Sequence, residues 1–314
     1  DFVMKKVRIF APATVANVSC GFDILGFPLS NVGDEMVIRK REEKGVRITK
    51  IEGAEGLPLE AEKNVSGVVA LKMLEKLGID QGVEIEIYKG IKAGSGIGSS
   101  AASSAGVAYG INQLFAEPFS TQQLVEFAME GERLASGVAH ADNVAPAISG
   151  GFTLVRSYHP LDVIAIPSPD DLYCTVIHPQ IEVRTADSRN ILKEKVPLKD
   201  AVQQWGNVAG LVAGLIKNDY DLIGRSLEDV IIEPIRSILI PGFDKVKKLS
   251  VEAGALGCGI SGSGPSIFAL SRGKETATRI KEAMNQAYKE LGIDFELHLS
   301  KICASGVRTL PENI

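Results

Sequence analysis

An α+β fold in two lobes is what this sequence predicts, and three observations predict it. Stretches of period-two hydrophobicity and stretches of helical spacing are mixed along all 314 residues, and neither dominates. The segment Pro167-Ser-Pro-Asp-Asp171 is rich in turn formers and poor in apolar residues, which divides the chain into 1–166 and 167–314. A hydrophobic fraction of 45% with 23% charged residues is that of a soluble globular protein with a full core, and the length suits two ordinary domains.

Strands are expected at 7–10, 35–38 and 47–51. The mixed-charge stretch 39–44 beside Gly45 reads as a solvated hairpin end after the second of these. Val65, Val68, Val69, Leu71, Met73, Leu74 and Leu77 recur at helical spacing, predicting a helix that stops at Gly78. Val83, Ile85 and Ile87 alternate with Glu84 and Glu86, the pattern of a half-buried strand. An alanine-rich, proline-free run to Phe115 predicts the next helix. Ser120 and Gln123 form a capping box for a helix that carries Leu124, Phe127, Ala128 and Leu134 and ends near Gly137. Gly150 and Gly151 lead into a strand at 152–155. Beyond the boundary, strands are expected at 173–177, 266–270 and 296–302, and helices at 201–216, 243–254 and 276–291.

The bulk properties exclude several classes. A formal net charge of −5 without basic clustering argues against a nucleic-acid surface, though not against a nucleotide in a locally positive site. Cys20, Cys174, Cys258 and Cys303 form no CxxC pair, and His140, His159, His178 and His298 are as scattered, so neither a disulfide framework nor a transition-metal centre is indicated. No apolar run is long enough to span a membrane. Lys5, Lys6 and Arg8 precede no long apolar stretch, so no secretory signal is visible and a cytoplasmic location is expected. Asp1, Phe2 and Val3 ahead of Met4 read as an appended remnant.

The chemistry concentrates in Gly94, Ser95, Gly96, Ile97, Gly98, Ser99 and Ser100, between the predicted strand and the alanine-rich helix. Glycines let a backbone approach a phosphate, several N–H groups converge, and the helix dipole favours negative charge there. The Walker pattern fails because no Gly-Lys-Ser/Thr follows Gly98, and the dinucleotide fingerprint fails because its last glycine position is Ser99. A flexible Gly/Ser linker would rarely run straight into a strong helix. Near the N-terminus stands Ala11-Pro-Ala-Thr-Val-Ala-Asn17, then Gly21, Phe22, Asp23, Leu25 and Gly26. Read alone, Asn17 and Asp23 are turn residues as readily as functional ones. Near the C-terminus, four glycines from Gly257 to Gly264, spaced by serines, precede a strand and leave many N–H groups to act as donors.

The loop Gly-Ser-Gly-Ile-Gly-Ser-Ser-Ala-Ala resembles the phosphate loop of the GHMP kinases, with Lys92 where proline is usual and Ile97 where leucine is usual. The C-terminal glycine run resembles the third motif of that superfamily, and the N-terminal phrase resembles the first motif of its homoserine kinases in particular. The resemblance implies a two-lobed GHMP kinase fold, with an N-terminal nucleotide-binding α/β lobe and a C-terminal ferredoxin-like α+β lobe. It implies ATP-dependent phosphorylation of the L-homoserine side-chain hydroxyl on the way to threonine. It leaves as rivals another GHMP small-molecule kinase of mevalonate type and a non-catalytic GHMP-like sensor.

The same resemblance assigns residues. Asn64 matches a base contact, and Lys92, Ala93, Gly94, Ser95, Gly96, Ile97, Gly98, Ser99, Ser100, Ala101 and Ala102 match the nucleotide loop. Mg²⁺ asks for hard oxygen ligands, and Ser100 with Glu132 is the matching pair, Glu130 being the rival. Thr185, Arg189 and Arg236 match substrate contacts, and a guanidinium fork suits a carboxylate. Asn17, Asp23, Asp142 and Asn143 are expected around the reacting hydroxyl, with Asp142 either a base or a positioning group. ATP and L-homoserine are the implied partners, nucleic acid and membrane are not, and a homodimer is left open.

Overall fold

The computed structural model describes residues 4–311, so the remnant expected ahead of Met4 lies outside the described residues. In the first lobe β1 (Lys6–Ala16) and β2 (Leu25–Arg41) pair antiparallel, with a register shift between Pro12 and Thr14. The proline has no N–H to give the ladder there. β2 next pairs with β4 (Gly82–Tyr88), and β4 pairs in parallel with β3 (Val46–Glu52). The stretch 39–44 is therefore no hairpin end. β2 runs on to Arg41, and the chain bends at 42–45 to reach the far side of β4. A parallel neighbour requires a crossover, and α1 (Val65–Leu77) supplies it, burying Val69, Ala70 and Met73 against the core.

α1 is capped at its start by Asn64, whose side chain accepts from the Ser66 N–H, and ends at left-handed Gly78. α2 (Ser99–Leu114) lies on β1 and β2. Gly106 and Gly110 sit where a side chain would run into Ala11, Met36 and Ile38, so the helix can approach the sheet closely. α3 (Thr121–Ser136) carries the expected capping box, both halves formed. After the short α4 (Val144–Ser149), β5 (Phe152–Tyr158) pairs with the first residues of β2, and β6 (Leu161–Ile166) pairs with β5.

In the second lobe β7 (Leu172–Pro179), β8 (Gly257–Ile260), β9 (Ile267–Arg272) and β10 (Phe295–Lys301) form an antiparallel sheet. Its spatial order is β10-β7-β9-β8, that is fourth, first, third, second in chain order, the ferredoxin-like arrangement. Helices at Phe243–Glu252 and Lys274–Leu291 bury Phe243, Val246, Ile280, Met284 and Tyr288 against Ile177, Ile260 and Ile267. Cys174, Val176, Phe268 and Leu270 join the first lobe's core instead. There the Phe268 ring lies 6.4 Å from Phe27, itself 4.8 Å from Phe152. The two lobes are thus fused through packed aromatic rings. The last strand, β11 (Arg308–Thr309), returns to the edge of the first sheet beside β1. Among the described residues no helix is long and apolar enough to cross a membrane.

Candidate active site

A cleft of about 560 Å³ opens between the lobes, and the loop joining β4 to α2 forms its floor. Gly94, Gly96 and Gly98 hold φ of 70°, 83° and 73°, left-handed values that side chains disfavour. α2 begins at Ser99 without a side-chain cap, and among the described residues no protein acceptor meets the N–H of Gly94, Gly96, Gly98, Ser99 or Ser100. Free donors and the positive end of a 16-residue helix converge on the cleft, an arrangement that binds phosphate. The loop is tied at its neck. Asp34 Oδ1 accepts from the Gly90 and Ile91 N–H groups at 2.8 and 3.1 Å, while Lys89 bonds Asp34, the Ser99 carbonyl and Ser103 Oγ.

Not every expected loop residue faces the ligand side. Ala93, Gly94, Ser95, Gly96, Gly98, Ser99 and Ser100 line the cleft; Lys92, Ile97, Ala101 and Ala102 do not. Ile97, Ala101 and Ala102 are apolar and sink into the core as the loop's anchors. Lys92 turns instead to Gln180 Oε1 at 2.7 Å and Glu296 Oε1 at 2.8 Å. Asn64 lines the cleft, but its amide is taken up by the α1 cap and by the Pro58 carbonyl at 3.0 Å. The apolar slot beside it is made by Ala54, Leu57, Pro58 and Val65, which carry no polar sequence signal.

The C-terminal glycine run is a correction of another kind. Gly257 and Gly259 lie inside β8, and only 261–266 form a loop. Its N–H groups are mostly occupied: Ser261 bonds Ser266, Gly262 bonds Ala16, Gly264 bonds Ser261, and Ser266 bonds Ser95. Pro265 has none. Ser261 Oγ also donates to the Gly96 carbonyl at 2.8 Å and Ser266 Oγ to the Ser95 carbonyl at 2.5 Å. This loop braces the phosphate loop through Ser261 and Ser266, while Gly262 and Ser263 line the cleft.

Ser100 Oγ donates to Glu132 Oε1 at 2.8 Å. Burial without a cationic partner pushes the Glu132 carboxyl up to about 7, and the serine hydroxyl offsets only part of that. A buried carboxylate beside a hydroxyl at a helix N-terminus fits a hard divalent cation. Glu130 stands outside the cleft, 3.4 Å from Arg133.

At the other end, Asn17, Val18 and Ser19 hold φ of 72°, 50° and 63°. A β-branched residue in that region is strained, and the Asn17 side chain helps to hold the turn. Its Oδ1 accepts from the Asp23 N–H at 3.0 Å and its Nδ2 donates to the Gly262 carbonyl at 3.0 Å. Asn17 therefore shapes the loop that presents Asp23, and with one amide N–H not taken up it also lines the cleft. Asp23 receives both terminal nitrogens of Arg189, at 2.6 and 3.2 Å. The Arg189 and Arg236 guanidinium carbons lie 5.4 and 5.1 Å from the Phe22 ring centre. Arg236 is 3% exposed, donates through Nε to the Ser188 carbonyl at 2.9 Å, and leaves Nη2 buried without a partner. Burial, then the Arg189 charge, pulls its guanidinium down to about 10. Thr185 Oγ1 lies 3.3 Å from Ser263 Oγ at the same end.

Asp142 and Asn143 enter from the segment before α4. Burial, then the charges of Asp23 and Glu132, hold the Asp142 carboxyl up at about 7. Asn143 Oδ1 accepts the Thr14 hydroxyl hydrogen at 2.6 Å, which leaves the amide hydrogens for the cleft. Thr14 also donates its N–H to the Ile97 carbonyl at 3.0 Å, and its hydroxyl fills the space a side chain at Gly98 would need. Thr14 was not legible as a site residue, because a β-branched residue in a strand needs no further reason. His140, two residues before Asp142, also lines the cleft with Nδ1 3.8 Å from Asp23 Oδ1. Burial lowers its pKa and so favours the neutral ring.

The chain matches the GHMP kinases N terminal domain over residues 63–151 and the GHMP kinases C terminal family over residues 211–290. It is similar to the homoserine kinase of Chlorobium phaeobacteroides (strain DSM 266), 50% identical over 98% of this chain and 100% of that one. It is 47% identical to the homoserine kinase of Chlorobaculum tepidum, over 98% and 99% of the two chains. Among solved structures it is similar to the crystal structure of homoserine kinase from Cytophaga hutchinsonii, at 55% identity, 99% coverage of each chain and a TM-score of 0.96. With family matches in both lobes and about half of all positions shared along whole chains, the chain belongs to the GHMP kinase family, among its homoserine kinases.

Proposed function

We propose that this protein transfers the γ-phosphoryl group of ATP to the side-chain hydroxyl of L-homoserine, giving O-phospho-L-homoserine and ADP on the route to threonine, in the cytoplasm. One observation carries the choice of substrate. At one end of the cleft the Asp23–Arg189 pair stands beside Arg236, whose buried Nη2 has no partner. An anion next to two cations is complementary to a zwitterion. The substrate carboxylate takes Arg236 and Arg189, its ammonium takes Asp23, and Thr185 closes that end. Mevalonate and galactose have no ammonium to offer.

ATP lies with its phosphates on the N–H groups of Gly94 to Ser100 and its base in the slot of Ala54, Leu57, Pro58 and Val65. Ser100 and Glu132 hold Mg²⁺, which when bound neutralises charge on the phosphates. Phosphoryl transfer passes through a loose transition state, so positioning and charge stabilisation do most of the work. Asn143 donates to the reacting oxygens and cannot take a proton. Asp142 orients the substrate, and the hydroxyl proton leaves late, passing to an oxygen of the transferred phosphoryl group and from there to water. We assign residues 1–166 to a nucleotide-binding domain and 167–314 to a second domain that completes the substrate end.

ADP release measured with homoserine, mevalonate and galactose tests the reading, with turnover expected for homoserine alone. R236L should raise KM for homoserine about 10- to 100-fold, the loss of a charge-assisted bond of roughly 1.5–3 kcal/mol, with ATP affinity unchanged. Comparable turnover of mevalonate, or lost ATP affinity in R236L with normal homoserine KM, would defeat it.

A further inference from the structure

Next to the substrate end of the cleft lies a second cavity of about 10 Å³; Asn17, Arg236 and Gly262 line both. Three residues around it carry polar atoms that the protein leaves unmet. Arg236 Nη2, Glu233 Oε1 and Ser19 Oγ are buried, and among the described residues none of them has a hydrogen-bond partner. Local structure gathers the three. Asp229 accepts the N–H groups of Ile231, Ile232 and Glu233 at 3.0, 2.9 and 2.9 Å, which starts the single helical turn Glu233–Arg236. Glu233 and Arg236 are three residues apart and so share one side of that turn. Ser19 comes from the left-handed turn after β1, where it holds φ of 63° and is 4% exposed. A strained turn that buries a hydroxyl with nothing in the chain to bond calls for a partner from outside it.

We propose that one buried water sits in this cavity, bridging Arg236 Nη2, Glu233 Oε1 and Ser19 Oγ, and that Glu233 acts through it as a positioning residue for the guanidinium that takes the substrate carboxylate. The effect on turnover rests on the homoserine reading; the water itself does not. The volume admits one water centre, and three polar contacts is the usual number for a buried water. The donor pattern selects the occupant, which must accept from a guanidinium and donate to a carboxylate. An ammonium or metal cation cannot accept, and it would face the guanidinium charge. A halide cannot donate, and it would face the carboxylate. Water does both. Asp229 is no rival acceptor, because Oδ1 already receives Gln204 Nε2 and two N–H groups and Oδ2 receives a third.

The water completes the fixing of Arg236. Its Nε is tied to the Ser188 carbonyl at 2.9 Å, and a second tie at Nη2 stops the guanidinium from turning about that one bond. Nη2 has two hydrogens, so one given to the water leaves the other, with the two on Nη1, for the carboxylate. Glu233 is anchored in turn by Lys247, which bonds Oε2 and leaves Oε1 for the cavity. A direct Glu233–Arg236 ion pair would compete with the substrate for the guanidinium. A pair separated by water orients Arg236 without occupying its fork.

A high-resolution crystal structure of the full chain, from crystals soaked in rubidium bromide, reads the occupant directly. A density peak within about 3.2 Å of all three atoms is expected, with no anomalous signal at that point. Kinetics read the positioning. E233M removes the acceptor at similar bulk and should raise KM for homoserine about 3- to 10-fold, with kcat and KM for ATP unchanged. E233Q keeps an oxygen for the water and should stay within about twofold of the parent. K247M deletes only the outer partner of Glu233 and should likewise stay within about twofold, which separates the water bridge from the ion pair. S19A takes away another partner of the water and should raise KM in the same direction, a second reading should E233M misfold. An empty cavity, an anomalous scatterer in it, an unchanged KM in folded E233M, or an equal rise in K247M overturns the proposal. A parent protein that does not turn over homoserine defeats the proposed function instead, and the density beside Arg236 still decides whether the water is there.

Discussion

Two glycine–serine loops meet at the centre of this molecule, and they do opposite things. The loop at 94–100 leaves the N–H groups of Gly94, Gly96, Gly98, Ser99 and Ser100 without protein acceptors among the described residues, and these residues line the cleft. The loop at 261–266 directs the N–H groups of Ser261, Gly262, Gly264 and Ser266 at carbonyls of the chain, and only that of Ser263 lacks a protein acceptor among the described residues. Composition does not separate the two. The element that each one opens does: the first leads into a 16-residue helix whose leading N–H groups have no partner, the second into a strand whose N–H groups do. A glycine-rich loop binds anions when it ends in a helix N-terminus; next to another loop it can equally be a brace.

The comparison is broken most severely at the open loop. E132Q removes the charge beside Ser100, and the transition state loses several kcal/mol of electrostatic stabilisation, on the order of 10³-fold in kcat. Its fold should not suffer. The folded Glu132 carboxyl sits at about 7, above its ordinary value, so folding favours the protonated form. That stability is full below the ordinary carboxylate range and is lost as pH rises through 7. The ligand-free protein should therefore melt lower at pH 8 than at pH 6, with Asp142 adding in the same direction. E132Q, which cannot ionise, should flatten that slope while abolishing turnover. Thermal melts at the two pH values with a turnover assay check both halves; a steeper slope in E132Q would refute the electrostatic account.

A smaller effect is expected at the support of the open loop. Thr14 joins the open loop through Ile97 and orients Asn143 through its hydroxyl. T14V keeps the shape and deletes the hydrogen bond, about 0.5–1.5 kcal/mol, so kcat should fall roughly 2- to 10-fold if the amide must present its hydrogens. T14S should restore it. A T14V enzyme with unchanged kcat and a raised KM for ATP would mean that Thr14 serves the loop alone.

Much of this arrangement is legible in the amino-acid sequence alone. The helix α1 announces both ends through Asn64 and Gly78, and α3 announces its start through Ser120 and Gln123, because caps are local chemistry. β2 is legible only at 35–38, because Gly26, Pro28, Asn31 and Gly33 read as a turn. Gly26, Pro28 and Gly33 are held extended by β1, and Gly26 by β5 as well, a tertiary cause with no local trace. β8 is hidden for the same reason, its glycines packed against Leu227 and Phe268. Among site residues, the contact of Ser100 with Glu132 and the pairing of Asp23 with Arg189 need three dimensions, since the partners come from distant segments.

The bracing loop gives the smallest effect and the sharpest test. Ser266 is fully buried, and its hydroxyl donates to the Ser95 carbonyl that its own N–H also reaches at 3.2 Å. S266A therefore leaves that carbonyl with one donor, and no buried group becomes orphaned. The cost should be about 0.5–1.5 kcal/mol, a fall in Tm of about 1–2 °C. A brace that weakens slightly still holds the open loop in place, so kcat should stay the same and KM for ATP should change by less than about twofold, under 0.5 kcal/mol. E132Q and S266A then form a crossed pair, one losing turnover with no loss of stability and the other losing stability with turnover intact. A tenfold drop of kcat in S266A at unchanged Tm would mean that 261–266 acts on catalysis and not as a brace, and the distinction between the two loops would fall.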